Sequence, residues 1–119
     1  MREEINAAIL AHGKWKARLF EAIESGKSDF TPEKVKPDNL CDFGKWFYTL
    51  KGGDATSSHY KEVMELHARF HQIASTVLEL ALAGKKDEAR KAIDISSEYS
   101  DISSRLTLTL GMWRNELSE

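Results

Sequence analysis

The sequence predicts an all-α fold, a four-helix bundle of three long helices and one short cysteine-bearing helix. Apolar residues recur at three- and four-residue steps through most of the 119 residues, the period of a helix with one buried face. Both prolines, Pro32 and Pro37, fall in one polar stretch, residues 25–38, and no run alternates as a half-buried strand would. A chain of this length is expected to form one domain over residues 1–119, since it can bury a core without crosslinks.

The first helix is expected over residues 3–24, where Ile5, Ala8, Ile9, His12, Trp15, Leu19 and Ile23 share a face. After the proline-bearing loop, Pro37-Asp38 offers a cap for a short helix running to Leu50, with Phe43, Phe47 and Leu50 on its apolar side. Lys51-Gly52-Gly53-Asp54 then breaks the chain as a turn. It shares Gly-Gly-Asp with the diguanylate cyclase signature, but Ala55-Thr56 does not continue that motif. A long third helix over residues 55–83 carries Tyr60, Val63, His67, Phe70, His71, Ala74, Val77, Leu78 and Ala81, and Gly84 stops it. A fourth is expected over residues 86–117 with Ala89, Ile93, Tyr99, Ile102, Leu106, Leu110 and Trp113 inward. Ser96, Ser97, Ser100, Ser103 and Ser104 weaken its propensity.

Composition narrows the function classes. Seventeen Lys and Arg against 19 Asp and Glu give a formal net charge of −2, without the basic stripe that phosphate contacts require, so a nucleic-acid partner is not expected. A single cysteine cannot form an internal disulfide, which points to a reducing compartment. The N-terminus does not read as a signal peptide, and no apolar run approaches the roughly 20 residues of a membrane span. The expectation is therefore a cytoplasmic protein with no membrane span.

The side chains with chemistry converge on one pattern. His67 and His71, four residues apart, lie on the same helix face, which is also the apolar stripe, and His12 lies on the stripe of the first helix. Cys41 opens the short helix, where backbone N–H groups and the helix dipole favour a thiolate. Three imidazoles and one thiolate make a donor set suited to tetrahedral Zn2+. A buried histidine can equally be hydrogen-bonded core, and a lone cysteine a small hydrophobe. A di-iron bundle is not expected, because Ile9, Thr56, Met64 and Ala68 stand three residues before the four histidines, where that site needs glutamates.

These residues also resemble a known family, the bacterial chemoreceptor zinc-binding (CZB) domains. His12-Gly13-Lys14-Trp15 looks like the family's His-x-x-Trp segment, and Cys41-Asp42-Phe43-Gly44-Lys45-Trp46 looks like its Cys-x-Phe/Leu-Gly-x-Trp segment. His67 to His71 matches its His-x-x-x-His segment, and the order and gaps of 29, 26 and 4 residues are those of the family. The resemblance implies His12, Cys41, His67 and His71 as Zn2+ ligands. It also implies a sensory role without catalysis, attached to or partnered with a chemoreceptor or diguanylate cyclase output domain, commonly as a homodimer. Cys41 would be the redox-sensitive ligand. Trp15 and Trp46 are expected to pack near the metal and restrict water. Gly44 and Gly13 are expected to permit close helix approach, and His59, which matches no motif, to face solvent.

Overall fold

The computed structural model describes residues 2–37, 41–50 and 58–116. Of these, 81% are helical and none is in a strand, so the all-α bundle expected from periodicity is the observed fold. Six helices occur among the described residues: α1 (Arg2–Ser25), α2 (Pro32–Val35), α3 (Asp42–Phe47), α4 (Ser58–Leu82), α5 (Lys86–Ala92) and α6 (Glu98–Glu116).

Helices α1, α4 and α6 pack against one another around the core. Their apolar stripes supply Ile5, Leu19 and Ile23 from α1, Val63, Phe70 and Leu78 from α4, and Leu106, Leu110 and Trp113 from α6, all essentially inaccessible to solvent. Gly26 ends α1 at φ 72° and Gly84 follows α4 at φ 78°. Both lie in the left-handed region that glycine enters without a Cβ penalty.

The structure departs from expectation at three elements, α2, α3 and the last helix. The proline-bearing stretch holds a short helix, α2, which starts at Pro32 because the ring fixes a helical φ and the missing N–H would have had no helical partner there. The helix expected over residues 86–117 is interrupted after Ala92 and resumes at Glu98. Side chains cause the break. Asp94 accepts from the Ser96 N–H at 2.9 Å, Ser97 and Ser100 hydroxyls donate to the Asp94 carbonyl at 2.6 Å each, and the Ser97 hydroxyl accepts from the Ser100 N–H at 3.2 Å as the N-cap of α6. The inward positions expected for the single helix are nevertheless buried in both pieces, from Ala89 and Ile93 to Trp113.

Helix α3 is shorter than expected, ending at Phe47, and its cap is Cys41. The Pro37-Asp38 cap and the Lys51-Gly52-Gly53-Asp54 turn fall wholly or partly outside the described residues. Two smaller expectations are corrected. A Cβ at Gly13 would meet nothing within 4 Å, so no helix approaches there. His59 is only partly exposed, and its Nδ1 lies 2.5 Å from a Glu116 carboxylate oxygen, tying the start of α4 to the end of α6.

Candidate metal centre

Three helices bring four donor side chains to one place. His67 and His71 project from successive turns of α4 into the interior, and His12 projects from α1 towards them. The ligand nitrogens of the three rings lie within 4.8 Å of one another. Cys41 arrives from the start of α3 with Sγ 3.5 Å from His67 Nε2 and 3.6 Å from His71 Nε2, while the two Nε2 atoms are 3.1 Å apart. Residues distant in sequence are therefore neighbours in the fold.

Backbone carbonyls decide which ring nitrogen carries the proton. A carbonyl can only accept, so His12 Nδ1–H donates to the Ala8 carbonyl at 2.7 Å and His71 Nδ1–H donates to the Val35 carbonyl at 2.7 Å. Each neutral ring then keeps its Nε2 lone pair for another partner. Metal-binding histidines are oriented in this way, with the second nitrogen held by a carbonyl or carboxylate. Burial keeps His12 and His67 neutral. Desolvation, aided by the neighbouring His71, lowers the His12 pKa from 6.5 to about 4. The same burial, with His71 and His12 beside it, lowers that of His67 further.

The sulfur is prepared by α3. Cys41 adopts an extended backbone as N-cap, and its Sγ accepts the Gly44 N–H at 3.3 Å. Partial positive charge at the start of a helix and a direct N–H donor both favour thiolate over thiol. Gly44 is buried, and its backbone N–H is what touches the sulfur.

Separations among Cys41, His67 and His71 fit three corners of a tetrahedral ion, with a His12 nitrogen within 4.8 Å of the other two rings' nitrogens. Bond lengths of about 2.0–2.1 Å to nitrogen and about 2.3 Å to sulfur set tetrahedral edges of about 3.3 Å between nitrogens and about 3.5 Å between nitrogen and sulfur. The observed 3.1, 3.5 and 3.6 Å lie close to those edges. The same separations are also within hydrogen-bonding reach among the sulfur and the two α4 rings.

Aromatic rings enclose the cluster. Phe43 lies 5.0 Å from His67 and Phe70 lies 5.1 Å from His12, ring centre to ring centre and edge to face. A cleft of about 430 Å³ between α1 and α3 reaches His12 and Cys41, and Trp15, Phe30 and Trp46 also line it. Trp15 packs on Phe30 at 5.2 Å with the Arg18 guanidinium over both rings, and Trp46 packs on Phe43 at 5.7 Å and Trp113 at 6.2 Å. Both tryptophans thus join core packing to the wall of the cleft. Phe30 and the Val35 carbonyl were not found from sequence. Phe30 sits in a polar loop without periodicity, and a carbonyl is present at every position, so side-chain pattern cannot single one out.

The family model described as chemoreceptor zinc-binding domain matches residues 12–78, a span that contains all four donors and ends within α4. No curated protein and no solved structure matches the chain.

Proposed function

The chain belongs to the chemoreceptor zinc-binding domain family, and from that premise we propose that it is a sensory domain whose His12, Cys41, His67 and His71 bind one Zn2+. The observation that carries this reading is the convergence of three buried imidazoles whose ligand nitrogens lie within 4.8 Å of one another, with the helix-capping sulfur of Cys41 within 3.6 Å of two of them. When bound, Zn2+ supplies the positive charge that holds Cys41 as thiolate and joins α1, α3 and α4 at one point.

Four protein donors close the coordination shell and leave no position for a catalytic water, which argues for regulation and against hydrolytic chemistry. The regulatory element in this proposal is α3. Its six residues cannot hold a helix alone. It is kept in place by Cys41 and by Phe43 and Phe47, both buried. Losing the ion, or oxidising the Cys41 thiolate to sulfenic acid, removes the sulfur from the donor set. The segment of residues 39–50 then shifts. We place the domain, residues 1–119 as one unit, in the cytoplasm and as a homodimer, passing zinc or oxidant state to a chemoreceptor or diguanylate cyclase output domain. No described helix is long and apolar enough to cross a membrane.

Zinc content of four variants tests the ligand set. The wild-type protein should carry about one Zn2+ per chain, and Cys41→Ser, His12→Ala, His67→Ala and His71→Ala should each lose most of it while remaining helical by circular dichroism. Wild-type protein with far less than one Zn2+ per chain, and no stability change on chelation, would return the chain to a metal-free structural or partner-binding bundle. Full zinc binding after loss of one donor would indicate an open site and favour a zinc-dependent enzyme instead.

A further inference from the structure

One turn beyond His71, α4 carries a buried hydroxyl that the four-donor site does not use. Ser75 is 3% exposed, and its Oγ–H donates to the Pro32 carbonyl at 3.2 Å. Pro32 is the first residue of α2 and Val35 the last, and the Val35 carbonyl is the acceptor for His71 Nδ1–H at 2.7 Å. The four-residue spacing of His71 and Ser75 places them on the same side of α4. Two donors from successive turns of α4 therefore hold both ends of α2.

Helix α2 needs such a hold. Four residues are far below the length at which a helix is stable by itself. Its N-cap, Thr31, makes no side-chain capping bond. Besides its own turn, closed by Lys34 and Val35 N–H to the Thr31 carbonyl at 3.1 and 3.0 Å and by Lys36 N–H to the Pro32 carbonyl at 2.9 Å, α2 is fixed by the buried Val35 side chain and the two α4 donors.

We infer that Ser75 is a positioning residue for His71. By docking Pro32 onto α4 it keeps the Val35 carbonyl where it holds the proton on His71 Nδ1, so that Nε2 is the unprotonated nitrogen presented to the other three donors. Without the Ser75 bond, α2 is free to shift by the few tenths of an ångström that lengthen the His71–Val35 contact, and the two tautomers of His71 become closer in energy. An apolar residue at position 75 would fill the same space but exert no such control. The consequence for metal binding rests on the zinc site proposed above; the consequence for the tautomer does not.

Two measurements on Ser75→Ala and Ser75→Thr test this. In metal-free protein, long-range 1H–15N NMR of the histidine rings should show His71 as the Nδ1–H tautomer in wild type and in Ser75→Thr, and a mixture in Ser75→Ala. In zinc competition against a chromophoric chelator, Ser75→Ala should bind about fivefold more weakly than wild type, less than the about 10–100-fold cost of losing a direct partner of a ligand. Ser75→Thr should remain within twofold of wild type. If Ser75→Ala does not fold, Ser75→Cys, close in size with a weak donor, carries the same comparison. A variant that lowers melting temperature but leaves both tautomer and affinity at wild-type values would overturn the inference, because the hydroxyl would then serve only packing. Wild-type protein that binds no zinc would refute the metal site, while the tautomer comparison would still decide the role of Ser75.

Discussion

His12 and His67 are imidazoles that the fold holds neutral, and this ties stability to pH. In the unfolded chain a histidine titrates near 6.5, whereas burial lowers His12 to about 4 in the fold and moves His67 in the same direction. The unfolded state therefore binds more protons than the folded state between those values, and stability rises with pH across that window. Metal-free protein should have its full stability above pH 6.5 and lose it progressively as pH falls to about 4, with His12 alone contributing on the order of 3 kcal/mol. Urea unfolding at a series of pH values measures this, and a flat profile between pH 6.5 and 4 would contradict the neutral, buried rings. The inward placement of His12, His67 and His71 was legible in the sequence, because side-chain chemistry and helical period suffice to place them, whereas Cys41 was legible only as a residue at the start of a short helix. The carbonyls of Ala8 and Val35 that set the tautomers were not. They belong to the backbone, and only the packing of α1 and α2 makes them special.

At the scale of elements, the serines between α5 and α6 show how one residue type supports two readings. Propensity treats Ser96, Ser97 and Ser100 as a mild weakening of one long helix. In the fold the Ser97 and Ser100 hydroxyls bond to backbone groups, the Asp94 carboxylate accepts the Ser96 N–H, and the Ser96 hydroxyl donates to the same carboxylate, stopping α5 and capping α6. Whether serine weakens a helix or ends it depends on whether its hydroxyl faces water or a backbone group within reach, which period alone does not reveal. Ser97→Ala removes the cap of α6 and should cost about 1 kcal/mol, within the range of about 0.5–2 kcal/mol for lost N-caps. Denaturant unfolding of metal-free protein reads that change directly. Zinc content should stay at the wild-type level, since α6 supplies none of the four donors. Exposed Ser104 on the same helix is the control, and its replacement by alanine should leave stability within about 0.5 kcal/mol.

Across the whole molecule the donors come from helices α1 and α4 and from the start of α3, so an ion bound by them links three elements at one point. Binding to the folded state alone stabilises it by mass action, by about 2.7 kcal/mol when free zinc is 100 times the dissociation constant. For a domain of this size that corresponds to a rise in melting temperature of about 10 °C. Calorimetry with zinc and then with excess chelator should show the rise and its reversal. In the Cys41→Ser and His67→Ala variants the same addition should leave the transition nearly unmoved. A zinc-independent melting temperature in wild type would indicate that the cluster stabilises through hydrogen bonds alone.

The sequence by itself determined the all-α class and the inward faces of the long helices, with His12, His67 and His71 on them, since each follows from side-chain type and a 3.6-residue period. Tertiary structure alone decided that α2 exists and supplies a carbonyl to His71, that Cys41 caps α3 and takes the Gly44 N–H, and that the last helix divides at residues 93–97. These features depend on which backbone groups meet which side chains across the bundle. Such meetings are set by three-dimensional packing among residues up to 43 positions apart, a distance over which no local periodicity carries information.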